Sequence, residues 1–225
     1  MRLQAGGDEA DWEEFKRFYW GLITSWARMF GCSDSVAEDI FQNTVLSLLR
    51  NLSKFRHTGD PGSFRKWLKT IVQCRVRDYI RWEMKHAERP DNDSDPDRWK
   101  LDSPHSKEQV SPDSEREAAM DRIWLNHILD SALDAARKRV KPEKYESFRR
   151  YVIYEEPVDK VSADMGIRVG TIFQHKSSFL DLLREEFVRL LEGLHDFSPD
   201  LASDAAARRK LKGVLEDYIT SRKEL

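Results

Sequence analysis

Long apolar runs are missing from these 225 residues. No stretch approaches the roughly 18–20 consecutive apolar residues that span a bilayer, so no membrane insertion is expected. The opening residues, Met1 to Glu9, hold no apolar core of a signal peptide, and the expectation is a cytoplasmic protein. Cysteine is scarce: Cys32 and Cys74 lack metal-ligand spacing and read as two reduced thiols in helical contexts. Glycine is scarce as well, at 10 residues, and with it any phosphate-binding glycine loop. There is no HExxH pair, no nucleophile elbow, and no paired carboxylates beyond ordinary helix-surface spacing. No catalytic residue, metal ligand or cofactor is therefore assigned, and an all-helical enzyme is the weakest functional reading.

What is abundant is charge, and it is segregated. The formal net charge is −2, yet residues 50–89 carry 11 Lys/Arg against 4 Asp/Glu, a local +7. Residues 91–117 carry 4 against 9, a local −5. A near-neutral total argues against nucleic acid, whereas a concentrated basic block argues for it.

That block centres on Gly62 to Trp82. Phe64, Trp67, Leu68, Ile71, Val72, Val76, Tyr79 and Ile80 recur at three- and four-residue intervals, the period of one buried helix face. Arg65, Lys69, Gln73, Arg77 and Arg81 fall four apart on another face. Asp60-Pro61-Gly62 reads as a turn and Ser63 as an N-cap. A helix with one apolar face, one basic face and aromatic rings among the charges suits phosphates and unstacked bases. An ordinary surface helix with a solvated polar face has the same pattern, and the neighbouring segments decide between them.

Before it, an aromatic-rich stripe (Trp12, Phe15, Phe18, Tyr19, Leu22, Ile23, Trp26, Met29, Phe30) predicts a core helix ended by Gly31. Ser35-Val36-Ala37-Glu38 fits a capping box opening a second helix to about Leu52. That helix has Val36, Ile40, Thr44, Leu48 and Leu52 on one face and shows Asp39, Gln42, Asn43 and Leu46 on its other side. After Arg89 the chain turns rich in Pro, Asp and Ser, and residues 90–116 read as a flexible acidic linker. Helical periodicity resumes from Ala118. Lys141-Pro142-Glu143 starts a helix carrying Tyr145, Phe148, Tyr151 and Val152, and Pro157 suits the first turn of a shorter one. A helix over Val158–Met165, a turn at Gly166-Ile167-Arg168 and a long helix from Val169 make a helix-turn-helix pattern, whose second helix enters the major groove. The fold class expected is all-α: two small helical domains, an N-terminal bundle at 10–89 and a helix-turn-helix domain at 117–192, with a helical extension at 193–225.

This order of parts resembles the compact extracytoplasmic-function type of bacterial RNA polymerase sigma factor. Asp39-Ile40-Phe41-Gln42 with Leu46 is similar to the family's helix that docks on core polymerase. Gly62-Ser63-Phe64-Arg65-Lys66-Trp67-Leu68, leading to Arg75 and Asp78, is similar to its promoter-melting helix. Val161 to Ile172, followed by Lys176-Ser177 and Leu183-Arg184-Glu185-Glu186, resembles its second-domain helix-turn-helix. The sequence departs from the family at Asn43 (usually glutamate), Cys74 (often asparagine), Phe173 (often lysine) and Ser178 (often arginine).

The resemblance implies a non-enzymatic sigma subunit, with core RNA polymerase and promoter DNA as partners and an anti-sigma factor as a further partner class. It implies polymerase binding by Asp39, Gln42, Asn43 and Leu46. It implies opening of the minus-ten element by the N-terminal domain, with a flipped base captured near the 56–63 loop and DNA contacts from Arg65, Lys66, Lys69, Arg75, Arg77 and Arg81. The minus-thirty-five element would be read by Arg168, Thr171, Gln174, His175 and Lys176, and the acidic linker would cross the polymerase's RNA channel. A helix-turn-helix regulator that binds duplex DNA without polymerase is the alternative. The extension lies outside the resemblance. Ser198-Pro199 fits a helix start, and Leu211, Val214, Leu215, Tyr218 and Ile219 fall on one face. Two readings stay open for it: a helix extending the second domain's core, or a regulatory element that covers the DNA-reading surface or binds a partner.

Overall fold

The α1 helix, Glu9–Met29, forms where the aromatic stripe predicts it and buries Phe15, Tyr19, Leu22, Ile23 and Trp26. This is a computed structural model that describes residues 9–51, 55, 60–88, 114–194 and 204–223. Gly31, at φ 87°, takes the left-handed conformation that turns the chain after α1. The next helix, α2, spans Asp34–Asn51. Its cap is Ser33 rather than Ser35: the Ser33 hydroxyl accepts from the Val36 N–H at 3.4 Å, and its carbonyl accepts from Ala37 at 2.8 Å. The basic helix α3 runs Ser63–Glu88. Here too the cap lies one residue upstream of the expected Ser63, because the Gly62 carbonyl accepts the first helical bond, from the Lys66 N–H at 2.9 Å. Gly62 sits at φ 72°, which a serine adopts at a cost.

The further helices among the described residues are α4 (Ser114–Arg137), α5 (Pro142–Phe148), α6 (Val158–Met165), α7 (Val169–Gly193) and α8 (Asp204–Lys223), with a π-helical turn at Arg149–Ile153. The described residues contain no strand, as an all-α expectation requires. Residues 90–113 of the expected linker, the 56–59 part of the loop before α3, and Ser198-Pro199 lie outside the described residues. Residues 114–116, read as linker, are the first turn of α4.

The chain divides into two compact units after Trp124, inside α4. In the first, α1, α2 and α3 pack together, and the start of α4 adds Met120 and Trp124, both essentially fully buried. The Trp26 indole N–H donates to the Met120 carbonyl at 3.0 Å, giving the largest core side chain of α1 its polar partner. Phe15 stacks on Tyr19 at 4.5 Å, and Tyr19 meets Phe64 edge-on at 5.9 Å.

In the second unit, α7 is the central rod, contacting α5, α6 and α8. Phe148 and Phe179, both fully buried, pack at 4.4 Å between ring centroids. A buried carboxylate, Glu186, sits between Arg139 at 2.5 Å and Arg189 at 2.7 Å. Burial opposes its ionisation, but the hydrogen bonds from the two arginines prevail and hold it below the usual carboxylate range. The C-terminal α8 buries Ala207, Leu211, Val214, Leu215 and Tyr218.

Candidate nucleic-acid interface

The α3 cations divide into two sets. Lys66 and Arg81 are exposed and Arg77 is half-exposed. Lys69 is only 5% exposed. Its ammonium meets Glu117 at 2.9 Å and Asp121 at 2.8 Å on α4. Arg65 pairs with the same Asp121 at 3.4 Å and lies 5.6 Å from the Trp124 ring centroid. Gln73 donates to Glu117 at 2.9 Å. Residues 65, 69 and 73 are thus a polar seam inside the first unit, because Glu117 and Asp121 repeat at the same four-residue spacing. Burial disfavours the Glu117 carboxylate, yet the hydrogen bonds from Lys69 and Gln73 outweigh it and hold its titration below the usual range. Arg75 is interior as well, 7% exposed. It faces α2, donating to the Ser47 hydroxyl at 3.1 Å and pairing with Asp78 at 3.3 Å. Lys69, expected on the basic row, and Arg75, expected among the DNA contacts, are both buried and paired inside the first unit.

On α2, Gln42 and Leu46 are exposed and Asp39 is half-exposed. Asn43, expected beside them, is buried, and its side-chain N–H donates to the Asp39 carbonyl one turn back at 2.9 Å. Leu49, which the sequence reading missed, extends the surface: Leu46 and Leu49 are 47% and 52% exposed, an apolar pair at three-residue spacing. A second leucine on the polar side of an amphipathic helix was the available signal.

In the second unit, α6 ends at Gly166, whose φ of 66° places it in the left-handed cap conformation, and α7 starts after Arg168. These bounds are those of the expected helix-turn-helix segment. The loop entering α6 is fixed by Arg150, which grips Glu156 with two nitrogens at 2.9 and 2.7 Å and reaches Asp164 at 2.5 Å. Hydrogen bonds from Arg150 and then Lys160 pull the Glu156 carboxyl down to about 2. Of the residues expected to read bases, Arg168 and Gln174 are exposed, whereas Thr171, His175 and Lys176 are half-buried. The His175 Nδ1 shares a hydrogen bond with the buried Ser147 hydroxyl at 2.8 Å. The Lys176 ammonium lies 5.1 Å from the Tyr151 ring centroid. Phe173 is 47% exposed on the same helix, edge-on to Tyr151 at 5.7 Å.

Residues 17–85 match the family model for Sigma-70 region 2. The matched segment takes in most of α1, all of α2 and most of α3, the three-helix part of the first unit. It covers under a third of the chain and supports a sigma-70 family factor, with a role in promoter recognition. No curated protein and no solved structure matches the chain. Among the described residues, no helix is long and apolar enough to cross a membrane.

Proposed function

We propose that this chain is a sigma subunit of the extracytoplasmic-function type, which binds core RNA polymerase, opens the minus-ten element with its first unit and reads the minus-thirty-five duplex with its second. The observation that carries the proposal is the region 2 match lying on α1–α3. That bundle exposes Gln42, Leu46 and Leu49 on one helix and, along another, Lys66 and Arg81 with the half-exposed Arg77. An exposed leucine pair beside an amide suits a protein partner, and cations on a rigid helix suit phosphates. In the second unit, the exposed Arg168 and Gln174 are the best placed for base edges, arginine toward guanine and glutamine toward adenine. Thr171, His175 and Lys176 contribute through their partly accessible edges.

Copurification tests this directly: the purified chain is expected to form a stoichiometric complex with core RNA polymerase. Gln42→Arg with Leu46→Arg is expected to abolish that complex while leaving helix content and melting temperature unchanged, since both side chains are solvent-facing. Full assembly of the double variant would refute the docking surface. Duplex binding by the wild-type chain with no polymerase complex would favour a helix-turn-helix regulator instead.

The division of α3 makes a second prediction. Changing Lys66, Arg77 and Arg81 to alanine in the holoenzyme is expected to flatten the salt dependence of promoter binding by about 0.7–0.9 logarithmic units per lost phosphate contact. Lys69→Ala is expected to leave that slope alone and lower the unfolding midpoint, because its charge is spent on Glu117 and Asp121. A slope that changes with Lys69 as with the other three would mean that the α4 seam opens on DNA.

A further inference from the structure

The second unit contains a cavity of about 710 Å³ that the proposed function does not use. Its walls come from three places: the π-helical turn with the start of α6, the outer side of α7, and α8. Val152, Pro157, Leu180, Leu215 and Ile219 make the lining mostly apolar, with Tyr151 and Lys176 at its side. The volume falls in the range of about 300–1,000 Å³ found for small-molecule sites. Two backbone irregularities border it. Tyr151 and Val152 belong to the π-helical turn Arg149–Ile153, and Glu155, also a wall residue, has φ 51° without being glycine. Wide turns of this kind and left-handed non-glycine residues concentrate at ligand sites, where the fold holds an unfavourable backbone in place.

The charges on the walls indicate what enters. Glu156 is neutralised by Arg150 and Lys160, Asp181 by Arg208 at 3.0 Å, and Glu216 faces Lys212 at 3.7 Å. Lys176 instead rests on the face of Tyr151. An ammonium held by a ring keeps its affinity for an anion, and the wall carboxylates Glu155, Glu156, Asp181 and Glu216 are matched in number by the cations Lys176, Arg184, Arg208 and Lys212. We propose that this cavity binds a small amphipathic organic anion, its apolar body between α7 and α8 and its acidic group at Lys176. Because Lys176 is also among the residues proposed to face promoter DNA, the ligand and the minus-thirty-five duplex would compete for one side chain. That consequence rests on the sigma reading; the binding itself does not.

The test uses the full chain alone, with decanoate as probe and 1-decanol and decyltrimethylammonium as controls of equal chain length, followed by calorimetric titration. Saturable binding of decanoate, with decyltrimethylammonium at least tenfold weaker, is expected. Lys176→Met should weaken decanoate about tenfold and leave 1-decanol unchanged. Ile219→Trp, which fills the cavity from α8, should remove both. Lys176 is half-exposed, so its variant reports on charge even if the tryptophan variant does not fold. Equal affinity for the cationic and anionic probes, or an unchanged decanoate affinity in Lys176→Met, would overturn the proposal. So would a response confined to phosphatidylglycerol vesicles, with none to free decanoate. Neither DNA nor polymerase enters the measurement, so its failure is distinguishable from failure of the sigma reading.

Discussion

Arg75→Ala is expected to lower the unfolding free energy by about 3 kcal/mol, although a sequence reading places Arg75 among the DNA contacts. The Arg75 and Asp78 side chains are only 9% and 11% exposed, with 3.3 Å between nitrogen and oxygen. Removing one member of such a pair leaves the other buried without its counter-charge, at a cost of about 3–5 kcal/mol. The separation is long for a charge-assisted bond, which puts the expectation at the lower end. The Ser47 hydroxyl also loses the Arg75 Nε donor at 3.1 Å, while keeping its own bond to the Asn43 carbonyl at 2.7 Å. Arg75→Lys should recover part of the loss, because an ammonium keeps the charge but not the fork that reaches Ser47 and Asp78 together. Urea unfolding measures both, with Lys66→Ala, at an exposed site, as the control expected within about 0.5 kcal/mol of wild type. An unchanged midpoint for Arg75→Ala, joined to a flatter salt dependence of promoter binding, would return Arg75 to the DNA surface.

The same residue shows what a sequence can and cannot carry. The bounds of α6, the turn and α7 were legible because their signals are local: Gly166 for a left-handed cap, an apolar period on each side, and Pro157 before the first turn. Pro157 itself proves to be the cap residue, with the helix starting at Val158. The two misplaced N-caps are local errors of one or two residues, in which a neighbouring serine resembled the true cap. The fate of the basic row is a different kind of error. Arg65, Lys69 and Gln73 share a face with Arg77 and Arg81, and nothing nearby distinguishes them. Their partners, Glu117 and Asp121, lie about fifty residues on, beyond a segment read as linker, so the burial of Lys69 is a tertiary fact. Asn43 is a local case instead: a polar residue on the polar side of a helix reads as surface, yet its amide is satisfied by the helix backbone one turn back and stays inside. The π-helical turn has no sequence signature at all. Tyr151 and Val152 continue the apolar period of α5, and the widening shows only in the backbone, where the Tyr154 N–H donates to the Arg149 carbonyl five residues back at 2.9 Å.

Removal of α8 is expected to destabilise the second unit and to lower promoter binding in proportion. The apolar stripe of this helix would be a liability in water, and the structure places Ala207, Leu211, Val214, Leu215 and Tyr218 at 4–7% exposure. The helix is tied to its own unit at both ends. Arg208 pairs with Asp181 on α7 at 3.0 Å, and the Tyr218 hydroxyl donates to Asp130 on α4 at 2.5 Å. Truncation before Asp204 therefore uncovers apolar surface on α7 as well as deleting the stripe. A single substitution gives the scale without altering chain length: Leu211→Ala should cost about 2–4 kcal/mol. For a unit of this size that corresponds to a fall of roughly 10 °C or more in melting temperature. Tyr218→Phe, which removes one hydrogen bond and keeps the ring, should cost about 1 kcal/mol. Thermal unfolding beside promoter-dependent transcription separates the two roles open to this helix. A lower melting temperature with a matching loss of transcription makes α8 part of the fold. An unchanged melting temperature with higher transcription would show instead that it is a cover held over the DNA-reading surface, its burial then being the closed state of a regulatory element.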